Sequence, residues 1–194
     1  MTTKRNIKSY FYSKLKPKYN AVWKNEIFND RPGNQYGNKL HTYRLFKNNF
    51  AFESYLDLDN FNRNILIRFR ISAHNLEIEK GRHQNIPLNE RICKLCKLEI
   101  EDEIHFLLQC PILNSFRTEA MQQISDICKN FASLDNKSKF IWLLSNENII
   151  IINIVIKLLM SLTETRTKLL SGGEVCPPCS LPSSHCIITS NIVL

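Results

Sequence analysis

Residues 93–110 read CKLCKLEIEDEIHFLLQC, and this stretch decides how the chain is expected to fold. Its three cysteines and one histidine follow the spacing C-x2-C-x8-H-x4-C. A gap of two residues lets a tight turn point two sulfurs at one ion, and thiolates with an imidazole nitrogen are the usual ligands of structural zinc. The sequence therefore predicts a Zn2+ ion held by Cys93, Cys96, His105 and Cys110.

The number of these ligands indicates what the metal would do. Four protein ligands complete the tetrahedral coordination of zinc and leave no position for water or a substrate. We therefore expect the zinc to be structural, with His105 and Cys110 presented from one face of a short helix and its end. The alternative interpretation is a group of buried free cysteines beside a histidine, with no metal bound.

The composition of the 194 residues favours a mainly α fold. Hydrophobic residues make up 43% of the chain, which is enough for one ordinary core. Only five glycines occur, so Gly-rich phosphate loops and all-β folds built from tight hairpins are disfavoured. We expect a helical domain that contains a small zinc-knuckle-like loop and is followed by a disordered C-terminal tail.

The pattern of charge and apolar residues divides the chain into three parts. Residues 1–19 are a basic N-terminal arm, residues 20–170 are the helical domain with the zinc-knuckle motif at 91–112, and residues 171–194 are a disordered tail rich in Pro, Ser and Cys. The tail contains CPPCSLPSSHC at 176–186, which offers four further ligands. Its prolines and its lack of apolar flanks make it the weaker candidate for a metal site.

Within the domain, apolar residues at helical spacing predict the individual helices. One helix is expected to begin at Phe61, after an N-cap at Asp59 or Asn60. Gly81 is expected to end it as a C-cap.

Most of the net charge of +8 is concentrated near the N-terminus. Residues 1–25 hold seven lysines and arginines and no acidic residue, with aromatic residues between them, a mixture that suits phosphate contacts and base stacking. The helix after Asn60 adds an arginine-lined face. The alternative is that both are solvated helix faces without a ligand. The candidate nucleic-acid-binding residues are Lys4, Arg5, Lys8, Lys14, Lys16, Lys18, Arg63, Arg68 and Arg70.

The sequence predicts an intracellular protein and leaves open whether it is nuclear or cytoplasmic. The N-terminal residues are polar and charged where a signal peptide has an uninterrupted apolar stretch. In a reducing compartment, clustered cysteines favour metal binding over disulfides. The apolar run at 149–160 is interrupted by Asn153 and Lys157 and is too short to cross a bilayer, so we expect a buried helix and no membrane partner.

Several segments together are similar to one protein family. They are TYRLFK at 42–47, YLDLDNFNRNILIRFRISAHNLEIEKGR at 55–82, IPLNERICKLC at 86–96 and IEDEIHFLLQCP at 100–111. Through them the chain resembles the region downstream of the reverse transcriptase domain in animal non-LTR retrotransposon proteins, which ends in a zinc-binding C-C-H-C motif of this spacing. The resemblance implies the same four ligands and an accessory region that helps to engage template RNA or target DNA.

Two motifs that would indicate catalysis do not occur in the sequence. No Tyr-x-Asp-Asp polymerase motif is present, and neither is a Pro-Asp dipeptide of the kind found in restriction-like nucleases. We therefore expect no enzymatic activity. A different interpretation is a protein-interaction module that docks a reverse transcriptase domain or another protein, or an inherited fragment without an independent function.

Overall fold

The computed structural model describes residues 3–28 and 39–175, with backbone alone at residues 3–8 and 11. The described residues are mainly α-helical and contain no strand, apart from one isolated antiparallel bridge between Ile92 and Ile100. The mainly α prediction is therefore confirmed. The α-helices are α1 (Thr3–Phe28), α2 (Tyr43–Phe46), α3 (Asn60–Arg70), α4 (Glu77–His83), α5 (Asn114–Ile127), α6 (Asn136–Ser145) and α7 (Ile149–Leu170).

Helix α7 forms the centre of the core. Asn148 begins it as an N-cap, since its side chain accepts a hydrogen bond from the backbone N–H of Ile150. The apolar run predicted as a buried helix lies in α7, and Val155 and Leu162 are fully buried there. Helices α3, α5 and α6 pack against α7. Each fully buried aliphatic side chain contributes about 1.5–3 kcal/mol to folding, so this helix is a major source of stability.

Helix α3 is shorter than the sequence predicts. The predicted N-cap is present, because the Asp59 carboxylate accepts hydrogen bonds from the backbone N–H groups of Phe61 and Asn62. The helix then ends at Arg70, since Ser72 adopts a left-handed conformation with φ of 55°. The prediction that one helix continues from here to Gly81 is wrong: a separate helix, α4, follows.

Gly81 lies inside α4 and does not cap a helix, which corrects the prediction. A Cβ atom at Gly81 would stand 2.5 Å from Cγ of Arg91. Arg91 cannot move away freely, because its guanidinium donates to the carbonyl oxygens of Ile78 and Ile86 at 2.9 Å each. Glycine is therefore required here for space.

Helix α1 crosses the predicted boundary between the basic arm and the helical domain. It is continuous from Thr3 to Phe28, with Pro17 in its interior. Its C-terminal half is attached to the following segment: Asn20 accepts a hydrogen bond from the backbone N–H of Phe50, and Trp23 packs edge-to-face on Tyr43. The arm is thus the first half of a longer helix.

Helix α7 ends at Leu170. Gly172 follows α7 with φ of 80°, and the N–H of Gly173 donates to the carbonyl of Lys168 at 2.9 Å. The rest of the predicted tail, including the cysteines and histidine at 176–186, lies outside the described residues. So do residues 1–2 and 29–38.

No single helix in the described ranges is long and apolar enough to cross a membrane. Helices α6 and α7 reach that length and composition only as a pair, and the pair is bent by 114° at the break between them.

We expect Gly81→Ala to lower the free energy of unfolding. Forcing a methyl group against the fixed Arg91 side chain costs about 1–3 kcal/mol, which outweighs the gain in helix propensity of about 1 kcal/mol. Urea denaturation followed by circular dichroism measures the change. His83→Ala, an exposed position in the same helix, is the control and should have little effect. Equal stability of the two variants would contradict the packing argument.

Candidate metal centre

The four predicted ligands lie together in the structure. The ligand atoms of Cys93, Cys96, His105 and Cys110 are all within 4.8 Å of one another. The two buried sulfurs, of Cys93 and Cys110, are 3.9 Å apart. Around a tetrahedral ion with metal–sulfur bonds of about 2.3 Å, two sulfurs lie roughly 3.8 Å apart, so the spacing fits a metal site.

The first two ligands are presented by a tight turn. The N–H of Lys97 donates to the carbonyl of Cys93 at 2.8 Å, and the N–H of Cys93 donates to the carbonyl of Glu99 at 2.8 Å. Lys97 has φ of 58°, a left-handed conformation that reverses the chain direction. The turn therefore carries Cys93 and Cys96 to the same side, as the two-residue spacing predicts.

The last two ligands are aligned by a π-helical turn, which sequence reasoning missed. Residues His105–Gln109 form this turn, and the N–H of Cys110 donates to the carbonyl of His105 at 2.7 Å. In an α-helix a step of five residues covers about 1.4 turns, which would point the two side chains in different directions. The wider turn brings Cys110 back into line with His105.

Glu99 orients the histidine ligand. Its carboxylate lies 3.2 Å from Nδ1 of His105, and Nε2 of the same ring lies 3.4 Å from the sulfur of Cys96. A metal-binding histidine commonly donates its second N–H to a carboxylate, which fixes the ring and leaves the other nitrogen for the ion. Glu99 was not among the predicted site residues, because no spacing rule identifies such a partner.

Cys93 and His105 hold protons in the metal-free chain, whereas the hydrogen bond from Cys93 lowers the pKa of Cys110. The hydrogen bond with Cys110, together with burial, raises the pKa of Cys93 to about 12. Burial lowers the pKa of His105, but its interactions with Cys93, Cys96 and Glu99 outweigh this and raise it to about 9. An ion must displace these protons, because it binds thiolates and neutral imidazole. Metal affinity should therefore rise with pH.

A buried ion pair supports the segment between the ligands. Glu101 accepts hydrogen bonds from Nε and Nη2 of Arg166 at 2.7 and 2.6 Å, and its carboxylate also lies 3.6 Å from the sulfur of Cys93. Arg166 belongs to α7 and also lies 3.6 Å from the carboxylate of Glu77. The cluster is thereby joined to the central helix of the core.

Glu103 provides a second buried link. Its carboxylate accepts a hydrogen bond from Ser72 at 2.6 Å and contacts Nε2 of His74 at 3.0 Å and Nε2 of His41 at 3.3 Å. Burial alone would raise the pKa of Glu103, but the hydrogen bonds from His41 and His74 hold it far below its usual value. This network fastens the turn between α3 and α4 to the ligand-bearing segment.

The predicted nucleic-acid residues on α3 do not form one surface. Arg70 is only 4% exposed; it pairs with Glu53 and its guanidinium lies 4.4 Å from the ring centroid of Phe46. This corrects the prediction that Arg70 faces a nucleic acid. Arg63 is half-buried and donates to the carbonyl of Leu56 at 2.9 Å, which leaves Arg68 as the exposed arginine of the three.

The predicted residues on α1 are more accessible. Lys14, Lys16 and Lys18 are all exposed, and so are the neighbouring aromatic residues Tyr12 and Tyr19, at 62% and 57%. Lys4, Arg5 and Lys8 lie in the same helix, but the description of the structure does not extend to their side chains.

No protein-family model, no curated protein and no solved structure matches the chain. Its class is therefore defined by its own fold and site: a mainly α protein with a compact cluster of three cysteines and one histidine, compatible with a metal ion.

We expect Arg166→Met to destabilise the protein strongly. The substitution leaves the carboxylate of Glu101 buried without its cation, and breaking a buried ion pair costs about 3–5 kcal/mol. Lys168→Met is the matched control, because it removes the cation of an exposed ion pair with Glu164 in the same helix and should have little effect. Chemical denaturation of both variants measures the difference, and a small effect of Arg166→Met would count against the supporting role.

Proposed function

We propose that the chain is a zinc-stabilised, retrotransposon-derived accessory module without catalytic activity that binds RNA or DNA non-specifically. The observation that carries the proposal is the convergence of the four ligand atoms within 4.8 Å, together with the carboxylate on Nδ1 of His105. A set of three sulfurs and one nitrogen suits zinc among the common biological metals. The sequence resemblance supports the origin.

The zinc in this proposal is structural. Four protein ligands leave no open coordination position, and three of the four, Cys93, His105 and Cys110, are at most 2% exposed. Structural zinc in small peptides supplies about 10–16 kcal/mol of apparent binding free energy at neutral pH. The ion would fix the turn at Cys93 and the π-helical turn before Cys110 relative to each other.

Nucleic-acid binding would depend on α1. Its exposed lysines lie between exposed tyrosines in the sequence, so the helix offers cations for phosphates and rings for stacking. The contribution of α3 is reduced to Arg68, because Arg70 is buried. Such contacts are electrostatic and read little sequence, so binding should be sensitive to salt and tolerant of sequence.

A protein-interaction module is the second candidate. Phe50 and Phe52 follow α2 and are 52% and 69% exposed, and they lie next to α1 through the hydrogen bond between Phe50 and Asn20. Neighbouring apolar side chains at a surface favour a protein partner, such as a reverse transcriptase domain. Binding of that kind would weaken little with added salt.

Purified protein should contain about one equivalent of zinc, and chelation should unfold the segment that it holds. Cys110→Ser should lose most of the zinc because it removes a buried ligand. Cys128→Ser is the matched control and should keep it, since Cys128 is half-buried outside the cluster. Elemental analysis and circular dichroism before and after chelation give the result. Zinc below about half an equivalent in unchelated protein would overturn the assignment.

Replacing Lys14, Lys16 and Lys18 together with glutamine should weaken nucleic-acid binding and its salt dependence. Each lost phosphate contact reduces the slope of log K against log salt by about 0.7 for a single strand, so three contacts give roughly 2. Fluorescence anisotropy with a labelled oligonucleotide at several salt concentrations measures the slope. The control replaces the exposed lysines Lys97, Lys129 and Lys157. Identical slopes for the two triple variants would exclude α1 as the binding surface.

A further inference from the structure

A cleft lies between α5 and the segment that leads into α6. It has a volume of about 380 Å3. One face of α5 lines it through residues spaced three and four apart, among them Asn114, Arg117 and Gln122. Asn136 and Lys139 of α6 line the opposite side. The volume is within the range of about 300–1,000 Å3 that is typical of sites for small ligands.

The cleft contains a buried cation that no carboxylate neutralises in the described part of the chain. Arg117 is only 4% exposed. Its Nη2 donates to the carbonyl of Cys110 at 2.9 Å and lies 3.4 Å from the carbonyl of Phe106, while its Nε has no acceptor. Buried charged side chains are rare unless they are paired, so this guanidinium calls for an explanation.

Two of the other buried arginines, Arg70 and Arg166, show the usual arrangement. Arg70 pairs with Glu53, and Arg166 pairs with Glu101 and Glu77. Arg117 differs from them because carbonyl oxygens alone accept its hydrogen bonds among the described residues. The carbonyl contacts hold the guanidinium at the wall of the cleft but do not balance its charge.

The rest of the cleft adds hydrogen-bond donors and no acid. Lys139 stands across from α5, with Nζ 5.8 Å from the centroid of the Phe131 ring. The described lining also includes side-chain amides, and it contains no carboxylate. The hydroxyls of Thr118 and Ser125 already donate to the α5 carbonyls of Asn114 and Met121, at 3.0 and 2.8 Å. The carboxylates next to the lining residues in sequence are already hydrogen-bonded, each at 3.0 Å: Asp135 accepts from the N–H of Ser138 as the N-cap of α6, Asp126 from the side-chain amide of Gln122, and Glu119 from that of Gln123.

We propose that this cleft is a binding site for the phosphate group of a small ligand, held between Arg117 and Lys139 with the side-chain amides of Asn114, Gln122 and Asn136 around it. Two cations and several neutral donors exceed what the two oxygens of a carboxylate can accept, whereas a phosphate offers three or four. Apolar side chains of Met121 and Phe131 provide contact area beside the charged group.

This site is separate from the proposed nucleic-acid surface. None of the residues that line it belongs to α1. It therefore remains a site for a phosphate group whether or not α1 binds nucleic acid, and substitutions at Lys14, Lys16 and Lys18 should leave it unchanged.

The test is calorimetric titration of the full chain with inorganic phosphate at constant ionic strength. In parallel, NMR follows the side-chain amide signals of Asn114, Gln122 and Asn136. We expect saturable binding with shifts of these signals in the wild type. Lys139→Gln should weaken it about tenfold, because a charge-assisted hydrogen bond is lost. The matched control Lys137→Gln, an exposed neighbour outside the cleft, should bind as the wild type does.

Further probes identify the source of the phosphate. Tighter binding of uridine monophosphate than of inorganic phosphate would support a nucleotide ligand, and equal affinities would support a site for the phosphate group alone. The proposal is overturned if phosphate up to about 20 mM gives no saturable binding, if Lys139→Gln binds as well as Lys137→Gln, or if acetate binds as tightly as phosphate.

Discussion

The hydrogen-bonded ion pair between Glu101 and Arg166 is the interaction on which the rest of the structure depends. Besides its two bonds to Arg166, the Glu101 carboxylate accepts from the backbone N–H of Glu77 at 2.9 Å and contacts the sulfur of Cys93. One side chain thus begins α4, supports the ligand turn and fastens both to α7. Because all partners are buried, the pair is stable only when the three parts assemble together.

The acidic run between the second and third ligands has a different role from the one its composition indicates. Glu101 and Glu103 are each 1% exposed, whereas acidic residues before a helix usually lie in solvent. Each has a distant cationic or histidine partner, 65 residues away for Arg166 and 62 for His41. The ligand-bearing segment, residues 93–110, is therefore part of the core of the domain and does not lie on its surface.

The sequence predicted the structural features that depend on neighbouring residues and missed the features that depend on residues far apart in the chain. The mainly α class, the four clustered ligands, the Asp59 cap and the end of α7 follow from composition, spacing and local hydrogen bonds. The break after Arg70 and the place of Gly81 do not, because they depend on tertiary contacts such as those of Arg91. Arg70 was predicted to be an exposed cation, because the helical spacing of apolar residues does not show that its side chain is buried beside Glu53.

Two features restrict the number of residues between Cys93 and Cys110 more than metal coordination alone would. They are the π-helical turn before Cys110 and the burial of Glu101 and Glu103, two residues apart on the same side of the segment. Adding one residue between Cys96 and His105 would exchange the inward and outward positions of the acidic side chains, and Glu101 and Glu103 would lose their partners. Adding one residue to the turn would place the cysteine six residues after His105, about 240° further around an α-helix, and would rotate its sulfur away from the cluster. Insertions should therefore be tolerated in the loops around this segment but not between residues 93 and 110.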